Sequence, residues 1–134
     1  MNYIKLRKNS LCLENVLALN IVKKFTTPFY CYSLKQLRSN FYEFNNAFKK
    51  IEPIICFSVK SNSNLTILKE LKKIGSGADV VSSGELLKVS KVGINPKKIV
   101  FSGIGKTTKE ISFAIDKKIL LINAESESEI KEID

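Results

Sequence analysis

The chain has 134 residues, 44% of them hydrophobic, and no apolar run reaches the ~18 residues needed to span a bilayer, so one ordinary domain with no membrane partner is expected. Its net charge of +9 is made of 20 Lys and only 2 Arg scattered along the sequence, which describes a solvated surface and argues against a nucleic-acid face. Three cysteines without a CxxC spacing, and no histidine at all, exclude a zinc site.

Residues 1–8 are basic but lead into no apolar signal segment, so a cytoplasmic address is expected, with the cysteines as reduced thiols. Residues 3–6 and 11–13 can form a hairpin around Lys8-Asn9-Ser10, followed by a short helix at 16–24 and a strand at 29–32 after Thr27-Pro28. Ser33 with Gln36 forms a capping box that opens an amphipathic helix. Its stripe is Leu34, Leu37, Phe41, Phe44 and Phe48, which reads as core packing.

From residue 54 the pattern changes to strand, turn and helix. Apolar runs at 54–59, 78–81, 99–101 and 119–122 each precede a segment with helical spacing and a cap. Asn64 caps 65–74 and Gly75 stops it. Ser83 caps 84–92 and Gly93 stops it. Thr107 with Glu110, and Ser126 with Glu129, are capping boxes for two more helices. Such alternation argues for parallel βα units with right-handed crossovers, and four parallel strands are half of an eight-stranded barrel. The last helix barely starts before Asp134, so the chain reads as cut.

Function in such barrels gathers in the loops after the strands. Lys60 ends the first run, where partial desolvation would free its amine for a Schiff base, and by alternation it shares a face with the small residues Ser58 and Cys56. From position alone it could equally be a lysine that snorkels to solvent. Ser102-Gly103-Ile104-Gly105-Lys106-Thr107 lacks the first glycine of a phosphate loop, since Val100 stands there. Asp79 and Glu85 are the acids nearest this mouth.

Five blocks, in order, resemble the decarboxylases that use pyridoxal 5'-phosphate (PLP) in an alanine-racemase-like barrel, the diaminopimelate branch most closely. Residues 27–33 resemble that family's TPLYVYS, and 57–64 its YAVKANSN, whose lysine carries PLP. Residues 77–86 resemble GFDVVSGGEL, 99–107 IVFSGVGKT, and 122–126 FNVES. The departures, Ser61 for Ala and Ser83 for Gly among them, are mild.

The resemblance implies an α/β fold, the N-terminal half of a PLP-binding (β/α)8 TIM-type barrel at 33–134, preceded by an extension at 1–32 that would pair with a C-terminal β-domain. It implies Lys60 as the catalytic lysine that carries PLP, with Asp79 and Ser82 near the cofactor, and loss of carboxylate from the amino-acid substrate meso-diaminopimelate to give L-lysine. It also implies a homodimer for the complete enzyme, and an inactive fragment here, because the family's other cofactor and substrate residues lie further downstream. The alternatives are a non-catalytic remnant or PLP-binding module, and an ornithine- or arginine-type decarboxylase.

Overall fold

The computed structural model describes residues 3–134, so Met1 and Asn2, the start of the expected extension, lie outside the described residues. The chain divides into two compact units, one ending at Lys50 and one spanning Ile51–Asp134.

In the first unit, β1 (Ile4–Arg7) and β2 (Ser10–Leu13) pair antiparallel with Arg7 opposite Ser10. Lys8 and Asn9 between them have φ of 47° and 57°, the conformation a two-residue hairpin turn demands. Val16 and Leu17, expected to begin a helix, instead form β3 (Val16–Leu17) on the free edge of β2, and α1 (Ala18–Lys24) starts after them. The expected strand at 29–32 has no ladder partner among the described residues. Its β-forming residues stay exposed, Tyr30 at 91%, and Tyr30 and Tyr32 stack on each other at 6.5 Å. Propensity alone, without a neighbour to bond, makes no strand.

Ser33 caps α2 (Leu34–Ala47) by accepting the Gln36 N–H at 3.0 Å. The box is not completed, because Gln36 Oε1 accepts the Tyr3 N–H at 3.2 Å. The Ser33 hydroxyl donates to Glu14 at 2.8 Å, and this bond, with the Lys35 N–H, holds the Glu14 carboxyl below its ordinary range. The apolar stripe of α2 is not the core expected of it. No residue of α2 is buried, and Phe44 and Phe48 lie exposed with rings 4.9 Å apart. The three short strands of the unit are too small to cover it.

The second unit is a parallel sheet in the order β4 (Cys56–Ser58), β5 (Gly77–Val80), β6 (Ile99–Phe101), β7 (Leu121–Ile122). Helices α3 (Leu65–Lys73), α4 (Ser83–Val92), α5 (Thr108–Asp116) and α6 (Glu127–Ile133) follow the strands in turn. Because strand order follows chain order and crossovers are right-handed, all four helices lie on one face. That face is the core: Ala78, Val80, Ile99 and Phe101 are at most 1% exposed, and they meet Leu68, Leu71, Leu86, Val89, Ile111 and Ala114 from the helices. The opposite face carries Cys56, Ser58, Asp79, Val100 and Leu121, none of them buried.

Gly77 is required by close approach, since a Cβ there would sit 2.2 Å from the Lys98 carbonyl oxygen. Asn64 caps α3 by accepting the Thr66 N–H at 2.8 Å. The cap of α4 is Ser82, not the expected Ser83: β5 ends at Val80, one residue early, and Ser82 is still extended when its hydroxyl accepts the Glu85 N–H at 3.2 Å. Thr107 and Glu110 make the full capping box of α5. Ser126 caps α6, but Glu129 turns its carboxylate elsewhere.

Candidate functional site

The carboxyl ends of the four strands gather a polar row on the open face. The register puts Ser58 opposite Asp79, and Asp79 opposite Val100. The Ser58 hydroxyl donates to Asp79 Oδ2 at 3.1 Å, and the Ser102 hydroxyl donates to Asp79 Oδ1 at 2.6 Å. Asn123 Nδ2 then donates to Ser102 Oγ at 3.0 Å. Each of the four βα units contributes one residue, and the row converges on one carboxylate. Two hydroxyl donors occupy the two oxygens of that carboxylate.

Lys60 sits in a single 3-10 turn, Val59–Ser61, directly after β4. The strand stops at Ser58, so alternation does not carry Lys60 onto the face of Ser58 and Cys56, as expected from sequence. Nor is its side chain desolvated: it is exposed, and among the described residues it has no hydrogen-bond or ion-pair partner. Val59 beneath it is fully buried and fixes where the turn leaves the sheet. The side chain is thus unpartnered, on a short tether anchored in the core. Asp79 belongs to the polar row. Ser82 is committed to its cap, and no hydrogen bond joins it or Lys60 to Asp79.

Glu85 closes on its own helix start by accepting the Val81 N–H at 2.9 Å. Cys56, on the row's face, donates to the Lys98 carbonyl at 3.5 Å. Burial pushes its thiol up, and the Asp79 charge adds to that, which makes it a poor nucleophile. A cavity of about 570 Å³ lies away from Lys60, between the starts of α5 and α6, lined by Gly105, Lys106, Thr107, Glu125 and Glu129 among others. Among the described residues no group of three His, Cys, Asp or Glu could hold a metal.

Sequence reasoning located the loops of Ser102 and Asn123 but not these two side chains as partners of Asp79. The missing signal is lateral register. Period two says that Ser58 shares a face with Cys56, yet only the pairing of β4 with β5 sets it beside Asp79.

Glu110 ties two of these loops. It accepts the Ser83 N–H at 3.1 Å and the Thr107 N–H at 3.2 Å, and these amides hold its carboxyl below the ordinary 4.5. A carboxyl whose folded pKa is depressed contributes stability above its unfolded pKa and loses it as pH falls through the folded one. Glu110→Gln is therefore expected to flatten part of the stability loss below pH 4.5, measured by urea unfolding against pH. An unchanged acid limb would show that these bonds do not matter.

A family model described as "Pyridoxal-dependent decarboxylase, pyridoxal binding domain" matches residues 34–134. The chain is 40% identical over 128 residues to the diaminopimelate decarboxylase of Aquifex aeolicus, covering 96% of this chain and 30% of that protein. Its fold superposes on the crystal structure of diaminopimelate decarboxylase from M. jannaschii in complex with L-lysine with a TM-score of 0.95 at 35% identity, covering 98% of this chain and 32% of that one. On the arginine decarboxylase of Paramecium bursaria Chlorella virus the TM-score is 0.77 at 27% identity, covering 86% and 31%. The chain spans about a third of the length of these relatives.

Proposed function

This chain belongs to the pyridoxal-dependent decarboxylases, and we propose that it serves in a diaminopimelate decarboxylase, which removes CO2 from meso-2,6-diaminopimelate and leaves L-lysine. The observation that carries the reading is the exposed, unpartnered Lys60 side chain at the end of the first parallel strand, beside strand ends that converge on Asp79. The residues present fit PLP. A primary amine without a partner can condense with its aldehyde, and the small residues Ser58 and Cys56 leave room on the face that carries the row.

When bound, PLP supplies the electron sink that takes up the electrons left as a carboxylate departs. Lys60 would hold the cofactor and release it to the substrate's amine. Asp79, its two oxygens held by the hydroxyls of Ser58 and Ser102, would face a cationic nitrogen at the mouth. Ser82 is assigned near the cofactor by resemblance, its oxygen already serving α4. Because the chain spans about a third of its relatives, the activity is proposed for the assembled enzyme, expected as a homodimer, rather than for these residues alone. Among the described residues no helix is long and apolar enough to cross a membrane. The free cysteines suit a reducing compartment, and we place the enzyme in the cytoplasm.

Identity favours diaminopimelate over arginine as substrate, at 40% against 27%. The test offers the assembled enzyme with PLP each of diaminopimelate, ornithine and arginine, and follows CO2 and the amine product. Release from diaminopimelate alone, with L-lysine formed, is expected. Release from ornithine or arginine instead would reassign the branch, and none from any would make the protein a non-catalytic relative.

A further inference from the structure

Lys106 is a lysine that the proposed chemistry does not use, and its side chain is enclosed. Its side chain is 2% exposed, and its partner Glu129 is 9% exposed. An ammonium has three N–H donors and no acceptor, and here each finds an oxygen. One goes to the Gly103 carbonyl at 2.6 Å, one to the Asn123 carbonyl at 2.8 Å, and the third to the Glu129 carboxylate at 3.0 and 3.1 Å. The ammonium also lies over the Phe101 ring, 5.9 Å from its centroid. The circuit closes on itself. Glu129 accepts the Glu125 N–H at 2.7 Å, and Glu125 accepts the Gly103 N–H at 3.2 Å.

A buried ion pair is a weak source of stability, because desolvating two charges consumes most of their attraction. What it gives is direction, and the direction here is toward Asn123. Lys106 holds the Asn123 carbonyl while the Asn123 N–H donates to the Phe101 carbonyl at 2.9 Å. With its backbone held on both sides, Asn123 directs its carboxamide to Ser102 and through it to Asp79. We infer that Lys106, with Glu129 as its counter-ion, is a positioning residue that locks the loop after β6 to the end of β7 and so sets Asn123 as the outer donor of the row ending on Asp79. Its relevance to cofactor binding rests on the reading of Lys60 and Asp79 given above.

The test uses isotope-labelled full chain and three variants: Lys106→Met, Lys106→Arg and Glu129→Gln. In a folded Lys106→Met protein the Asn123 carboxamide signals are expected to move toward their unfolded positions. Amide exchange at Gly103 and Asn123 should rise by about tenfold or more. Lys106→Arg keeps the charge and donors, and should restore part of both. Wild-type signals from Asn123 in folded Lys106→Met would overturn the inference. If Lys106→Met does not fold, Glu129→Gln carries the test. It leaves the amine on two carbonyls, so a smaller movement in the same direction is expected, and no movement overturns the inference. A separate PLP titration of the assembled enzyme should show several-fold weaker uptake for Lys106→Met. Failure of the wild type to take up PLP would sink the proposed function but leave the latch to be judged by Asn123. Equal uptake by both, with Asn123 displaced, would confine the latch to local structure and remove its role in the site.

Discussion

Replacing Lys60 by alanine in the assembled enzyme is expected to abolish covalent attachment of PLP and to lower decarboxylation on the order of 10³-fold or more, since the group proposed to carry the cofactor is gone. Borohydride reduction of the loaded enzyme, followed by peptide mass analysis, should find the pyridoxyl mass on the peptide containing Lys60 and nowhere else. Stability should change by less than about 0.5 kcal/mol, because the side chain is exposed and touches no partner. That pairing of a large chemical loss with an intact fold separates this lysine from the rest. Lys106, at the next strand end but one, has its three donors spent and its side chain 2% exposed, so it is closed to a cofactor's aldehyde. Lys98 donates to the Gly75 carbonyl and Lys88 to Ser63. Lys60→Arg keeps the charge but cannot condense, and should be as inactive as the alanine variant. A pyridoxyl mass on another peptide would end the assignment.

How much of this was legible in the sequence depends on what each feature needs. Caps need only near neighbours, so Asn64 and the Thr107–Glu110 box read directly, and Gly93 stops α4 at φ 80° as its glycine suggested. The cap of α4 slipped by one residue because two serines stand together and only the true end of β5 chooses between them. The four parallel strands were legible because each is an apolar run followed by a capped helix. The strand expected at 29–32 does not form, because a strand is a property of two segments and a sequence shows one. The same limit explains the site. Lys60 stood out by place and motif, but its exposure, and the partners of Asp79, are set by where β4 ends and by register. Lys106 and Glu129 are 23 residues apart and meet only because β6 and β7 are neighbours.

The second large effect is expected at Phe101, the largest fully buried side chain, on the helix face of β6. Its strand neighbours are Val80 and Ile122, and its ring lies beneath the Lys106 ammonium. Phe101→Ala removes the ring and leaves a cavity that the sheet and the helices are too regular to close, at a cost of about 3–5 kcal/mol. Phe101→Leu keeps most of the volume and should lose less than about 1.5 kcal/mol, although it removes the ring face from Lys106. Cavity formation therefore outweighs the cation–π contact, which at 5.9 Å stands at the edge of its range. The control lies on the same sheet: Leu121 points to the open face and is 50% exposed, so Leu121→Ala should cost only about 1 kcal/mol. Urea midpoints at unchanged m-value measure all three. Equal losses at Phe101 and Leu121 would mean that both faces of the sheet are covered. In this chain by itself the face that carries Ser58, Asp79 and Leu121 would then be covered, against the exposure described above.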